Sequence, residues 1–433
     1  MLLIDEVSRA ALDGSRPADK VIAWAWYDGA LAWDEPLSIN SWSRSDTGDG
    51  KQKVQRQFQL TIADPDGSLS PWLFHDPLGV GGTILQIIYQ IGGAESLNIG
   101  WFRVEGNTPE QSHVHYTIPE YGYVEPDSVH APHERSVMVP AGGTVQVTAV
   151  DITANVDRDK LLTPESPKTT TVLGEVSRLI GDHFPVVIED GVVDGPVAKT
   201  LVYERERLEA VQDLLASVNA RYRMGGDGEM RVYPIDPGPV VWRVEPRAGL
   251  VKVGRGQSIA GLYNMWVVTG KEDGTGRPIS AISTIKSGPL RVDGPHGRVP
   301  NFFESEQITS VAAAQKYAET LRDRQNQTYA VELSVDTIPR PELQAGDRIE
   351  VGCPVKDGHV IYIPGEVTSI QASGSPVPGP MSLKVSCSYQ DIFDALARTD
   401  WSQYLTREKP PLTWDRMPAT WGTAPALTWN DLP

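Results

Sequence analysis

The sequence predicts a mainly β protein with an α+β insert: two β-rich regions flank a small α/β module. Three observations carry that expectation. Period-two alternation of apolar and polar residues recurs in short runs between 21 and 152 and again between 240 and 389. Glycine (40) and proline (34) are frequent enough among 433 residues to punctuate many short strands. Helical spacing governs only the interval 163–233 and a shorter one near 310–325.

Taken in order, residues 1–20 read as a short helical arm with Leu2, Val7, Ala10 and Leu12 loosely periodic. Trp24, Trp26 and Tyr27 end at Asp28-Gly29, a two-residue turn pair, and Leu31 and Trp33 return as the second arm of a hairpin. Phe58-Gln59-Leu60-Thr61-Ile62 alternates and stops at Asp64-Pro65-Asp66-Gly67, where Asx chemistry, a fixed proline φ and a free glycine φ all favour a turn. Residues 84–91, 101–104 and 144–150 are further strands. Between them, 107–143 breaks the rhythm with Pro, Gly and His and reads as a surface insertion.

In the α/β module, Val172, Val176, Leu179 and Ile180 share one helix face, and Leu208, Val211, Leu215 and Val218 share another. The Gly225-Gly226-Asp227-Gly228 turn then joins two short strands. The second β region starts near Val240 with a strand pair, Tyr263-Asn264-Met265-Trp266-Val267-Val268 and Ile279-Ser280-Ala281-Ile282. A helix with Ala314, Tyr317, Ala318 and Leu321 as its stripe follows, capped by Thr309 or Ser310. Strands resume through Pro341-Glu342-Leu343-Gln344-Ala345-Gly346-Asp347, and a short helix, 392–398, closes the body. Leu78-x-x-Gly81-x-x-Ile84 echoes Leu343-x-x-Gly346-x-x-Ile349, each opening a strand after a proline, a faint sign of duplication.

Composition excludes several classes. A net charge of −17 opposes nonspecific nucleic-acid or anionic-membrane binding. Cys353 and Cys387 are too few for a disulfide framework and read as reduced strand cysteines. The start, Met1-Leu2-Leu3-Ile4-Asp5-Glu6, lacks a secretory pattern and no run spans a bilayer, so a soluble chain made in the cytoplasm, without membrane insertion, is expected.

Candidate chemistry is sparse. His113, His115, His130 and His133 could ligate zinc if the 107–143 segment folded back, but no cysteine or carboxylate set reinforces them and a solvated loop is the expectation. Asp64, Asp66 and Asp127 with nearby Glu residues could supply a glycosidase pair, but Asp64 and Asp66 sit in a turn sequence that explains them without catalysis. Gly254-x-Gly256 lacks the third glycine of a dinucleotide site. No catalytic, cofactor-binding or metal residue is assigned, and no enzyme activity is expected.

Three stretches together resemble phage tail hub proteins, the minor tail proteins of actinobacterial siphophages, similar in turn to the baseplate hubs of contractile tails. The first joins Trp26-Tyr27-Asp28-Gly29 to Phe58-x-Leu60-x-Ile62-x-Asp64-x-Asp66-Gly67-x-Leu69-Ser70-Pro71 and Asp76-Pro77-Leu78. The second is helix 207–218 with its Gly-Asp-Gly hairpin. The third is Tyr263-Asn264, the Ala-rich helix and Pro341-x-Leu343-x-x-Gly346-Asp347. The resemblance covers roughly 20–395.

That resemblance implies two tail-tube-type β-barrel domains plus the small α/β domain. The expected division is an arm (1–20), a first barrel (21–155) carrying the 107–143 insertion, the α/β domain (156–239), a second barrel (240–395) including helix 310–325, and a tail (396–433). It also implies a homotrimer at the virion tail tip that caps the tail tube and adapts sixfold to threefold symmetry. A tail-tube or distal tail protein would lie above, tip or receptor-binding proteins below, and genomic DNA would pass transiently, without specific binding, through a negative lumen. In the tail, Trp414, Trp421 and Trp429 recur between prolines and are expected to dock on a partner. Two rival readings are the anchoring part of a tail-associated cell-wall hydrolase, and a receptor- or carbohydrate-binding protein with Trp24, Trp33 and Trp42 as sugar platforms.

Overall fold

The computed structural model describes residues 1–398, apart from 3, 5, 14–18, 49–51, 93–95, 121–132, 200, 236–237, 247, 258–261, 273–277, 289, 305–309, 327–330 and 355–359. Strands outweigh helices by more than two to one among the described residues, so the molecule is mainly β as expected.

A short helix, α1 (Glu6–Asp13), precedes the first β region, and Leu2 ahead of it and Leu12 within it are buried in that region's core. Its strands are β1 (Lys20–Tyr27), β2 (Ala30–Leu31), β3 (Ile39–Thr47), β4 (Arg56–Ala63), β5 (Ile84–Gln90), β6 (Ser96–Glu120) and β7 (His133–Asp151). The Asp28-Gly29 hairpin is present: both residues have positive φ (49° and 78°), which matches the right-handed twist of the flanking strands. The sheet runs β3-β4-β7-β6-β5-β1 and returns on itself through the bridge between Ala23 and Leu37. Phe58, Leu60, Ile62, Phe102, Val104, Val145 and Val147 fill the enclosed core, with Phe58 and Phe102 edge to face at 4.8 Å.

The α/β module follows: α2 (Thr153–Arg158), α3 (Val172–Ile180), β8 (Val186–Ile188), α4 (Arg207–Ser217), β9 (Ala220–Met224) and β10 (Met230–Pro234). Thr171 caps α3 by accepting from the Gly174 amide. The apolar faces expected on both long helices meet the three-stranded sheet β8-β10-β9 in one core.

The second β region comprises β11 (Trp242–Val244), β12 (Leu250–Gln257), β13 (Met265–Glu272), β14 (Pro278–Thr284), β15 (Pro300–Glu304), α5 (Val311–Asn326), β16 (Val331–Thr337), β17 (Arg348–Pro354), β18 (Val360–Gly374), β19 (Met381–Cys387) and α6 (Tyr389–Arg398). Six of these strands form the order β12-β16-β19-β18-β17-β11, and the Glu245 corner joins its two ends. Cys353 and Cys387 lie free and buried in its core; burial pushes the Cys387 thiol up to about 12.

Two expectations change here. The strand pair at 265–284 is not part of this barrel sheet: with β15 and α5 it makes a separate three-stranded layer with its own small core, Val268, Ile279, Ala281, Ala314 and Ala318. Within the 107–143 segment, residues 107–120 and 133–143 are strand rather than loop. β6 and β7 stay paired out to Glu120 opposite His133, a two-stranded ribbon that alternation alone concealed because neither of its faces is buried.

A candidate channel face at the joint between the barrels

The two β regions share one sheet. β18 runs past the end of β17 and pairs, through residues 369–374, with 42–47 of β3, which makes a continuous sheet of 13 strands among the described residues. The strand at this joint, Ile39–Thr47, is hard to recognise in the sequence because two of its four buried positions hold Arg44 and Asp46 rather than apolar residues. The signal was present in the strict alternation of Trp42, Arg44 and Asp46 with Ser41, Ser43 and Ser45.

One face of the shared sheet is built almost wholly from hydroxyls and amides. The register lines up Thr148, Gln59, Ser43 and Ser373 in one row. A second row holds Gln57, Ser45, Gln371, Ser382 and Asp336. At about 4.8 Å per strand, the six strands from β7 to β16 span about 24 Å. Ser43, Ser45, Gln57, Gln59, Gln371 and Ser373 line an open cleft of about 380 Å³ over the joint. Charge is sparse on this face: Glu332 and Lys384 form an exposed pair at 3.2 Å, and Asp336 accepts from Ser382 Oγ at 2.7 Å. It is therefore close to neutral rather than negative.

Beneath it, the joint is locked by buried charge. Arg44 (4% exposed) donates through Nε to both carboxylate oxygens of Asp46 (1%) at 3.0 Å. Its remaining nitrogens reach the carbonyls of Pro341 (3.1 Å) and Leu343 (3.0 Å). A planar guanidinium can satisfy a carboxylate and two carbonyls at once, so the fork fixes β3 against the loop at 338–347. Nearby, Arg56 faces Asp151 at 3.6 Å and donates to the Ile99 carbonyl at 2.9 Å. Burial raises the Asp151 carboxyl, and Arg56 opposes that rise.

The 338–347 loop also holds the α/β module. Gln344 Nε2 donates to the Met224 carbonyl at 2.8 Å, and Arg223 meets Asp347 at 2.8 Å. The Met1 amine also pairs with Asp347. Gly346 has φ +91°, and a Cβ there would sit 2.5 Å from Tyr233 Oη, so glycine is required twice over. Asn264, from the Tyr263-Asn264 pair, is likewise structural: its side chain bonds the Leu290 and Gly297 carbonyls and the Val299 amide.

The sequence-flagged residues scatter. His113 and His115 lie exposed on β6, opposite Pro140 and Met138. His133 stands opposite Glu120, five residues further along the ribbon than His115, or about 17 Å in strand rise at 3.3 Å per residue. His130 lies outside the described residues. Among the described residues no group of three His, Cys, Asp or Glu side chains could hold a metal ion. Asp64 accepts from the Leu69 amide and Ser70 Oγ, and Asp66 from Ser68, so both serve their turn. Of the three tryptophans considered as sugar platforms, Trp42 is core, with its indole donating to the Pro376 carbonyl. Trp24 and Trp33 are half-buried. Trp414, Trp421 and Trp429 fall outside the described residues.

No family model matches this sequence, and no curated protein matches it. The solved structures do. The arrangement is the fold of phage tail proteins. It is similar to the tail protein from Neisseria meningitidis MC58, at 13% identity and a TM-score of 0.55, over 85% of this chain and 96% of that one. It is also similar to the 43 kDa tail protein of prophage MuSo2 from Shewanella oneidensis, at 11% identity and a TM-score of 0.53, over 86% of this chain and 99% of that one.

Proposed function

We propose that this chain is a structural, non-catalytic subunit of a phage tail tip. Three copies form the hub ring that caps the tail tube and converts its sixfold symmetry to the threefold symmetry of the tip. The observation that carries the reading is the continuous sheet: two similar barrels joined edge to edge give each chain two tube-like units, so three chains supply six.

The hydroxyl and amide face fits the wall along which DNA moves during ejection. Phosphates bind proteins chiefly through Lys and Arg with counterion release, and a wall whose Lys384 is already paired with Glu332 offers little such hold. The expected negative lumen is replaced in this reading by a neutral one, which avoids adhesion without long-range repulsion. A tail-tube or distal tail protein sits above the ring and receptor-binding proteins below. The Trp414, Trp421 and Trp429 segment supplies one of those contacts.

A reconstruction of intact tails tests this. The expected result is three copies at the tip around an axial channel with Gln59 and Gln371 facing the lumen. Finding the chain elsewhere in the particle, or in another copy number, would sink the reading.

A further inference from the structure

The chain carries an internal template for how two of its barrels join, and one half of that joint is repeated unused at each end. In the first barrel β3 pairs β4, β4 pairs β7, β7 pairs β6 and β6 pairs β5. In the second, β12 pairs β16, β16 pairs β19, β19 pairs β18 and β18 pairs β17. β12 therefore corresponds to β3, and β6 to β18. Inside the chain, the edge of β18 beyond its β17 partner takes β3. At the far ends, the matching edge of β6 beyond residue 104 and the outer edge of β12 carry no described strand.

The loops beside these edges tell the same story. The 338–347 loop before β17 packs against β3 with Arg340, Glu342, Leu343 and Gln344 all buried. Its counterpart before β5, residues 64–83, shares the Leu-x-x-Gly-x-x-Ile pattern yet displays Trp72 (91% exposed), Leu73 (57%) and Phe74 (75%). That display is built, not slack: Asp76 accepts from the Trp72 and Leu73 amides at 2.7 Å, and the Gly81 amide bonds the Phe74 carbonyl. The loop lies beside the open edge of β6, since Asn107 Nδ2 donates to the Leu78 carbonyl and Gln111 Nε2 to Ser70 Oγ. Three consecutive large apolar side chains held in water mark an interface.

We infer that this surface, the β6 edge with Trp72, Leu73 and Phe74, receives β12 of a second copy of the chain, head to tail. Charge agrees. β6 presents exposed Glu105 and Glu110, whereas β12 presents exposed Lys252 and Arg255 and contains no acid, in a chain whose net charge is −17. Val251, 61% exposed at the β12 bulge, is the apolar contact for the loop. Pro109 lacks an amide and keeps the ladder short, so the loop's side chains carry much of the contact. A contact between two different surfaces repeats from copy to copy and closes into a ring when the rotation permits. The inference rests on the ring reading above and assigns its subunit interface.

Native mass spectrometry of the full chain at rising concentration tests it, with Trp72→Asp, Val251→Asp and the control Val193→Asp. Wild type and control should form closed oligomers, while each interface variant alone stays monomeric at unchanged Tm. Mixing the two interface variants should give dimers and nothing larger, because one intact junction remains possible. Oligomers from Trp72→Asp alone, no dimer in the mixture, or a wild type monomeric at every concentration would overturn the inference. So would a monomer that oligomerises only after removal of 399–433, since the chain's own tail would then occupy the edge. A tail-tip ring whose copies meet through other surfaces defeats this interface and leaves the hub reading standing; a chain located elsewhere in the particle defeats the hub reading alone.

Discussion

Arg44 and Leu343 stand 299 residues apart in sequence and meet at 3.0 Å, guanidinium to carbonyl, in the buried seam between the two barrels. The contact ties the first barrel to the loop that opens β17, and Asp46 holds the guanidinium in place from the same strand. Together with the β3–β18 ladder, the contact ties the two barrels into one sheet.

Replacing Arg44 by Ala should therefore be severe. It leaves Asp46 as a buried charge without its partner, a loss of about 3–5 kcal/mol. Urea midpoints measure it. The double change Arg44→Met, Asp46→Leu should cost much less, because it removes both charges together. Equal losses in the two variants would refute the seam as described.

Gly346→Ala meets two obstacles, the positive φ and Tyr233 Oη. A strained backbone alone costs about 1–3 kcal/mol, and the clash adds to it. Adding Tyr233→Phe should recover only the clash, so a partial rise in Tm is expected. Full recovery would show that the backbone tolerates alanine there.

Asp76 links pH to the Trp72 loop. Backbone hydrogen bonds from Leu73 first, and then Trp72, hold its carboxyl below its ordinary 3.8. A depressed carboxyl contributes stability above that ordinary value and loses it as pH falls through the lower folded one. Hydrogen exchange at the Trp72 and Leu73 amides should stay slow at neutral pH and rise relative to neighbouring amides only below 3.8. Asp76→Asn should exchange faster than wild type at pH 7; unchanged protection would remove the carboxylate's role.

Cations on the polar face should create DNA adhesion. Ser43→Lys, Gln59→Lys and Gln371→Lys together should turn a non-binder into a salt-sensitive one. The log–log salt slope should steepen by about 0.9 per phosphate contacted. Fluorescence anisotropy with a duplex probe reads this directly, and binding by the wild type would contradict the neutral-wall argument.

Removing 411–433 should leave the Tm of the body unchanged and weaken attachment to a tail partner. Tails that assemble normally with the shortened chain would count against docking by Trp414, Trp421 and Trp429.

The sequence by itself determined whatever rests on local chemistry. The Asp28-Gly29 hairpin, the Asp64 and Asp66 turn, the Ser310 cap on α5 and the apolar faces of α3 and α4 all follow from residues a few positions apart, and all are present. The Leu78 and Leu343 echo marked equivalent places, the loops that open β5 and β17. Only the tertiary structure decided how the halves combine. The β3 strand escaped notice because Arg44 and Asp46 look like surface residues until a distant loop covers them. The 107–143 ribbon escaped because a two-stranded arm exposed on both faces leaves no burial period to read. The polar face, too, exists only in register: Ser43, Gln59 and Ser373 are unremarkable singly and become one wall when hydrogen bonds between strands align them. Burial and pairing over hundreds of residues are properties of the folded sheet, and no local window of sequence contains them.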